Sequence, residues 1–314
     1  MYKENQELLE IINRAIKKSE SYIGRGKVAT YIPELANVNP ENFALSIVSV
    51  DGGLYEFGDT DTVFSMQSIS KVISLIMALK DNDADTVFKK IGTEASKYKF
   101  NSVIPIDDKP SNPFINAGAI TTSSLIRGDD IIDKFDRTIN MVRKLANSND
   151  IRLIEEVYLS EMQTTDINRA IAYYLKSKGI FTDDAEKILD LYIRNCSIGL
   201  NSSQLAHIGA ILANGGVSID QSEEIISKEI VKTVISQMPS CGMYEKSGQY
   251  LLEVGIPSKS GVSGAILGVV PEKYGICVYS PRLDESGNSV RGTNLLKILS
   301  NELNLNIFYK ELLW

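Results

Sequence analysis

Apolar β-rich runs broken by tight turns stand near both ends of this chain, and a long stretch with helical periodicity separates them. Residues 44–50 and 54–57 flank Asp51-Gly52-Gly53, which predicts a β-hairpin whose glycines supply positive φ. Residues 262–270 and 274–280, rich in Val, Ile and Tyr, flank Pro271-Glu272-Lys273 and predict a second hairpin. Hairpins so far apart in sequence share a sheet only if the chain leaves that sheet and returns. The expected fold is therefore α+β, with residues 1–314 forming one domain of two lobes. An α/β lobe, about 1–79 and 241–314, would hold an antiparallel sheet backed by the terminal helices. An all-helical lobe would take about 80–240.

The helical expectations are specific. Leu8, Leu9, Ile11, Ile12 and Ile16 alternate with charges, so the first twenty residues predict an amphipathic helix. From Ser68, the positions Ile69, Val72, Ile73, Ile76 and Leu79 follow a helical period. Further helices are expected over 131–146, 151–160, 167–177, 185–192 and 203–212, the last stopped by Asn214-Gly215-Gly216, and over 294–303.

Composition removes several functions. Thirty-three basic against 40 acidic residues give a net charge of −7, and no basic cluster offers a footprint for nucleic acid. No apolar run approaches the ~18 residues of a membrane span. Cys196, Cys241 and Cys277 are odd in number and widely spaced, as expected of reduced thiols in a cytoplasmic protein. Neither a metal nor a cofactor site is indicated. The single histidine, His207, lies among Leu205, Ile208 and Ile211 and reads as a packing residue. A serine hydrolase built on this chain would need a base other than histidine.

Ser68 and Lys71 offer one. Three residues is nearly a full helical turn, so hydroxyl and amine share a face at the mouth of an apolar helix. The pair suits a nucleophile and its base, and a plain serine helix cap fits the same residues. Catalysis would require the amine to fall from ~10.4 to about 7 or 8, hence a site nearly closed to water. Lys259-Ser260-Gly261 stands just before the strand expected from Val262, where a strand amide can serve an oxyanion. Tyr244 lies in the loop-like run 241–248 and is suited to proton relay beside a lysine. Asn116 falls in the small-residue run 112–120. Glu161 and Asn168, seven apart, would share one face of a continuous helix, two turns apart.

Taken together these segments resemble the serine-dependent glutaminases, whose catalytic domain is similar to that of β-lactamases and transpeptidases. The resemblance runs from about Tyr31 to Gly292. It is carried in order by Tyr31-Ile32-Pro33-Glu34-Leu35-Ala36, Gln67-Ser68-Ile69-Ser70-Lys71, residues 112–120, Ser160-Glu161, Cys196-Ser197, residues 240–248, residues 259–264 and residues 280–290. It implies hydrolysis of L-glutamine to L-glutamate and ammonia through an acyl-enzyme, with Ser68 as nucleophile, Lys71 as base and Tyr244 as proton relay. The Ser68 and Val262 amides would form the oxyanion hole. Asn116, Glu161, Asn168, Tyr192, Tyr244 and Val262 would line the glutamine site under Tyr31. It further implies a homodimer or homotetramer that uses no cofactor. Phe114, Glu245 and Ala265 stand where Met, Asp and Gly are usual. The other activity of this architecture, a penicillin-recognising acylase or peptidase, would be expected to show a Ser-Asp-Asn triplet that this chain lacks.

Overall fold

Helix α1 (Tyr2–Ser19) opens the chain in a computed structural model that describes residues 2–96, 98–102 and 108–308. The expected hairpin follows as β1 (Ala44–Ser49) and β2 (Leu54–Gly58), then the short β3 (Phe64–Ser65). A 3₁₀ turn over Gln67–Ile69 leads into α2 (Ser70–Asp81), followed by α3 (Ala84–Lys90), α4 (Asn116–Ser124) and α5 (Ile131–Leu145). Next come β4 (Arg152–Leu153), α6 (Glu155–Thr164), α7 (Asp166–Ser177), α8 (Ala185–Cys196), β5 (Ile198–Leu200) and α9 (Ser202–Ala213). The chain then returns through α10 (Lys228–Cys241), α11 (Ser247–Glu253), β6 (Ser258–Ser260), β7 (Ala265–Val270) and β8 (Tyr274–Tyr279) to α12 (Val290–Leu303).

The two hairpins join edge to edge in one antiparallel sheet of order β2-β1-β8-β7-β6. Ala44 stands opposite Tyr279, and Val48 opposite Gly275. Leu45, Ile47, Ile266, Val270, Ile276 and Val278 turn to α1 and α12, where Ile12, Ala15, Leu295, Leu296 and Leu299 meet them. Ala44, Val48, Ala265, Leu267, Val269, Cys277 and Tyr279 turn the other way, into the core shared with α2, α5, α9 and α10. Apolar layers on both faces explain why these strands read as unbroken hydrophobic runs.

Several expectations need correction. The segment 80–240 is not helical throughout: β4 and β5 pair with β3 in a small sheet of order β3-β5-β4. Helix α9, inside that segment, lies across β8, β1 and β7 of the main sheet. Two glycines allow it, since a Cβ on Gly275 would stand 2.0 Å from the Ala210 nitrogen, and one on Gly209 2.9 Å from the Gly275 Cα. Helix and strand therefore touch backbone to backbone. Gly275→Ala is expected to destabilise the fold by about 3 kcal/mol, because neither backbone can withdraw. A lowered urea midpoint at unchanged slope would show it.

The strand expected from Val262 starts at Ala265. Lys259 and Ser260 already belong to the preceding strand β6, and residues 261–264 form the turn between them. Within the small-residue run 112–120, helix α4 starts at Asn116. Glu161 and Asn168 do not share one helix, because the chain breaks at Thr165 between α6 and α7. Among the described residues no helix is long and apolar enough to cross a membrane.

Candidate active site

Helix α2 is buried from Ser70 to Leu79, so it has no solvent face on which to leave its lysine. Lys71 consequently has no exposure at all. Its Nζ donates to the Phe114 carbonyl at 3.0 Å and to Asn116 Oδ1 at 2.6 Å. Burial pulls the amine down from 10.5 to about 8, with the Cys196 and Glu161 charges opposing the shift. Ser68 lies one turn earlier, in the 3₁₀ turn that precedes α2, and is itself buried. It does not cap the helix, since the cap position is Ile69. The residue before it, Gln67, has φ +47°, an uncommon conformation for a residue with a side chain.

A chain of hydrogen bonds fixes the floor. Asn116, the first residue of α4, receives Lys71 on Oδ1 and donates Nδ2 to Asn168 Oδ1 at 2.8 Å. Asn168 in turn donates to Thr165 Oγ1 at 3.0 Å. The break between α6 and α7 is thus what turns Asn168 toward Asn116. Glu161 comes from the other side of that break and accepts from Gln67 Nε2 at 3.4 Å. Its carboxyl is buried, which raises its pKa to about 7; the Gln67 hydrogen bond and the Lys71 amine oppose that rise. Helices α2 and α4 both begin at this point, and their positive ends favour anions and disfavour ammonium.

Tyr31, Ser68, Asn116, Glu161, Asn168 and Tyr192 line a single cavity of about 80 Å³. Tyr31 is 56 % exposed as a residue, yet desolvation, with Tyr244 and Glu161 nearby, pushes its phenol pKa well up. Tyr192 is buried, and its pKa is likewise raised by burial. Tyr244 approaches from the sheet side, with φ +54°. Its hydroxyl donates to the Ser260 carbonyl at 3.1 Å and is hydrogen-bonded to the Ser68 side chain. Val262, in the β6–β7 turn, packs with Tyr244 and faces an outer cavity of about 1240 Å³ that Tyr31 also lines.

Other residues line the inner cavity that sequence reasoning did not single out. Phe100 and Asn101 are among them, with Thr164, Thr165 and Ile167, while Ile32, Gln67 and Cys196 come from the quoted motifs. The Phe100 ring centre is 4.6 Å from that of Tyr244 and 5.7 Å from Lys71 Nζ, so it stands between phenol and amine. No periodicity marks Phe100 in the sequence. Cys196 was legible within Cys196-Ser197; burial raises its thiol to about 12, which leaves it an unreactive wall. His207 lines a separate surface cavity with Asp220 and Glu223.

A five-stranded antiparallel sheet between helices, with helical segments beside it and a serine and a buried lysine at their junction, is the β-lactamase-like architecture. The chain belongs to the glutaminase family, whose model matches residues 26–308, and its activity is hydrolysis of glutamine to glutamate and ammonia. It is 46 % identical over 297 residues to "Glutaminase 2" of Clostridium perfringens, spanning 93 % of this chain and 97 % of that protein. A solved structure described as the probable glutaminase ybaS superposes with a TM-score of 0.91 at 39 % identity, covering 96 % of this chain and 99 % of the other. A second, at TM-score 0.84 and 35 % identity over 96 % and 99 % of the two chains, is a covalent complex between the Bacillus subtilis glutaminase YbgJ and 5-oxo-L-norleucine. The family decides between the two activities expected of this architecture in favour of glutamine hydrolysis.

Proposed function

We propose that this glutaminase works through a Ser68 acyl-enzyme with Lys71 as general base and Tyr244 as proton relay. One observation carries the reading. A neutral amine has two N–H groups and one lone pair, and Lys71 has two acceptors, Phe114 O and Asn116 Oδ1. With both hydrogens engaged, the lone pair is left for the Ser68 proton. Oγ then attacks the side-chain amide carbon of glutamine, and the resulting oxyanion is received by the Ser68 and Val262 amides at the positive end of α2. Tyr244 gives its proton to the departing nitrogen and takes one back from the Lys71 ammonium, ammonia leaves, and water then attacks the γ-glutamyl ester with Lys71 again as base, releasing glutamate and restoring the Ser68 hydroxyl. The covalent norleucine complex of the Bacillus subtilis relative supports an acyl-enzyme-like intermediate.

Glu161 is proposed to take the substrate's α-ammonium, because a buried carboxylate with a raised pKa gains most from a fixed cation. Asn116, Asn168, Tyr192 and Tyr31 would hold the remaining polar groups, with Tyr31 closing the mouth. Substrates lacking the ammonium would leave Glu161 unpaired and be rejected. The protein is further proposed to be cytoplasmic, supported by three buried free thiols, and a homodimer or homotetramer. Exposed Leu159, Ile167 and Tyr173 on α6 and α7 support the assembly.

The mechanism is tested at Tyr244. Tyr244→Phe is expected to lower kcat for glutamine about 10²-fold or more, the usual worth of a positioned proton donor, with a smaller change in KM. Steady-state ammonia release measures both, and an unchanged kcat removes the relay.

A further inference from the structure

Gly287-Asn288-Ser289, within the 280–290 motif, has no part in the steps above, yet it packs against the relay. A Cβ on Gly287 would stand 3.6 Å from the Tyr244 ring and 3.4 Å from the Val262 side chain. Beside it Asn288 is only 2 % exposed, and its Nδ2 donates to the Met243 carbonyl at 3.2 Å. Its Oδ1 is buried with no hydrogen-bond partner among the described residues. A buried acceptor left unpaired costs stability, so stability does not explain an amide at this position. Leucine has the same outline and no such acceptor.

What leucine would not do is hold the turn that carries the phenol. Tyr244 opens a 3₁₀ turn (Tyr244–Lys246) with φ +54°, a left-handed conformation that a residue with a side chain keeps only when its surroundings impose it. Bonds inside the turn cannot set its orientation. Lys246 N to Met243 O at 3.2 Å and Ser247 Oγ to Tyr244 O at 2.7 Å would rotate with it as one piece. The Asn288 bond instead crosses from another segment, and that segment is itself fixed. Asn288 N donates to Asp284 Oδ1 at 3.0 Å, and Asp284 N donates to the Asn288 carbonyl at 2.8 Å. Lys246 Nζ also crosses, to Asp284 Oδ2 at 2.9 Å, but its side chain is 46 % exposed and such a pair holds weakly in water. We propose that Asn288 is a positioning residue for Tyr244: its amide ties the Met243 carbonyl to the 284–290 loop and so holds the turn that aims the phenol at Ser68 and the departing nitrogen. This rests on the relay role given to Tyr244 above. Without the donor the turn drifts and proton delivery to the leaving group slows. Substrate contacts on the Glu161 side are untouched.

The test uses purified full-length protein as wild type, N288L, Y244F and the double variant, each melted under circular dichroism. Each is assayed on L-glutamine and on a 4-nitrophenyl γ-ester of glutamate, whose phenolate departs without needing a proton; spontaneous release is subtracted. N288L is expected to melt at or above the wild-type temperature, because the unpaired acceptor is gone and Met243 O keeps its bond from Lys246 N. On glutamine it is expected to lose about 10- to 100-fold in kcat with KM nearly unchanged. On the ester its kcat stays near wild type. In the Y244F background, adding N288L is expected to cost less than about threefold more, because both act on one step. A melting temperature lowered by several degrees makes Asn288 a structural residue and overturns the proposal. Equal losses on the two substrates, an unchanged kcat on glutamine, or losses that multiply in the double variant overturn it as well. If Y244F itself keeps wild-type kcat, the relay reading falls first and takes this one with it. A slow Y244F beside any of those contrary results sinks the Asn288 role alone. N288A, which also lacks the donor, serves the kinetic comparisons if N288L does not fold.

Discussion

Ser68→Ala releases no ammonia from glutamine above a loss of roughly 10⁴-fold, while still binding the substrate. The size follows from the absence of a substitute. Removing Oγ leaves Lys71 with its lone pair aimed at a methyl group, and the cavity walls supply no second nucleophile, since burial holds the Cys196 thiol near 12. Binding persists because Glu161, Asn116, Asn168 and Tyr192 line the same cavity and do not depend on the hydroxyl. Ammonia release and isothermal titration with glutamine check the two halves separately. Wild-type turnover in the variant would place the chemistry elsewhere, and loss of binding would mean that Ser68 shapes the cavity as well as attacking.

Legibility in the sequence followed how local each signal was. The two hairpins are local, fixed by Asp51-Gly52-Gly53 and Pro271-Glu272-Lys273, and both appear where expected. That they join through β1 and β8 is a long-range fact that only the overall pattern suggested. Strand β6 went unread because Ser258, Lys259 and Ser260 are polar and resemble a loop, although all three are buried. The break at Thr165 falls in the gap between the helices expected over 151–160 and 167–177, although neither Gly nor Pro marks it. Helix α9 shows an apolar face that would suit either lobe, and only the paired glycines Gly209 and Gly275 assign it to the sheet. At the site, Ser68 and Lys71 stood out by chemistry and spacing. Asn116, Glu161 and Asn168 were singled out by residue type and spacing, but they were joined into one site, with Tyr192 added, only through family resemblance, because side chains from four helices meet only once the chain is folded. Phe100 belongs to no motif and was found from the ring contacts alone.

Replacing Lys71 by methionine removes turnover by a comparable factor but leaves the protein folded. Two opposing terms set the stability. The amine's fall from 10.5 to about 8 means that at neutral pH the folded state accommodates a proton poorly, at a cost of about 3 kcal/mol. A thioether removes that cost. It also leaves Phe114 O and Asn116 Oδ1 without their donor, at about 1 to 3 kcal/mol each. The terms nearly offset, so the melting temperature moves by only a few degrees. The pH profile separates a base from a structural lysine. A folded-state pKa below the unfolded one makes stability rise with pH from about 8 toward 10.5 in wild type, and this contribution is missing from the variant. Activity follows the same titration, because only the deprotonated amine can take the Ser68 proton: kcat/KM for glutamine should climb through an apparent pKa of about 8. Differential scanning fluorimetry and ammonia release across pH 6 to 10 read both quantities, the range being roughly two units either side of that midpoint. A wild-type profile flat through pH 8, or Lys71→Met retaining turnover, would remove the lysine from the mechanism. A flat profile with an inactive variant would leave it as a fixed ammonium that positions Asn116.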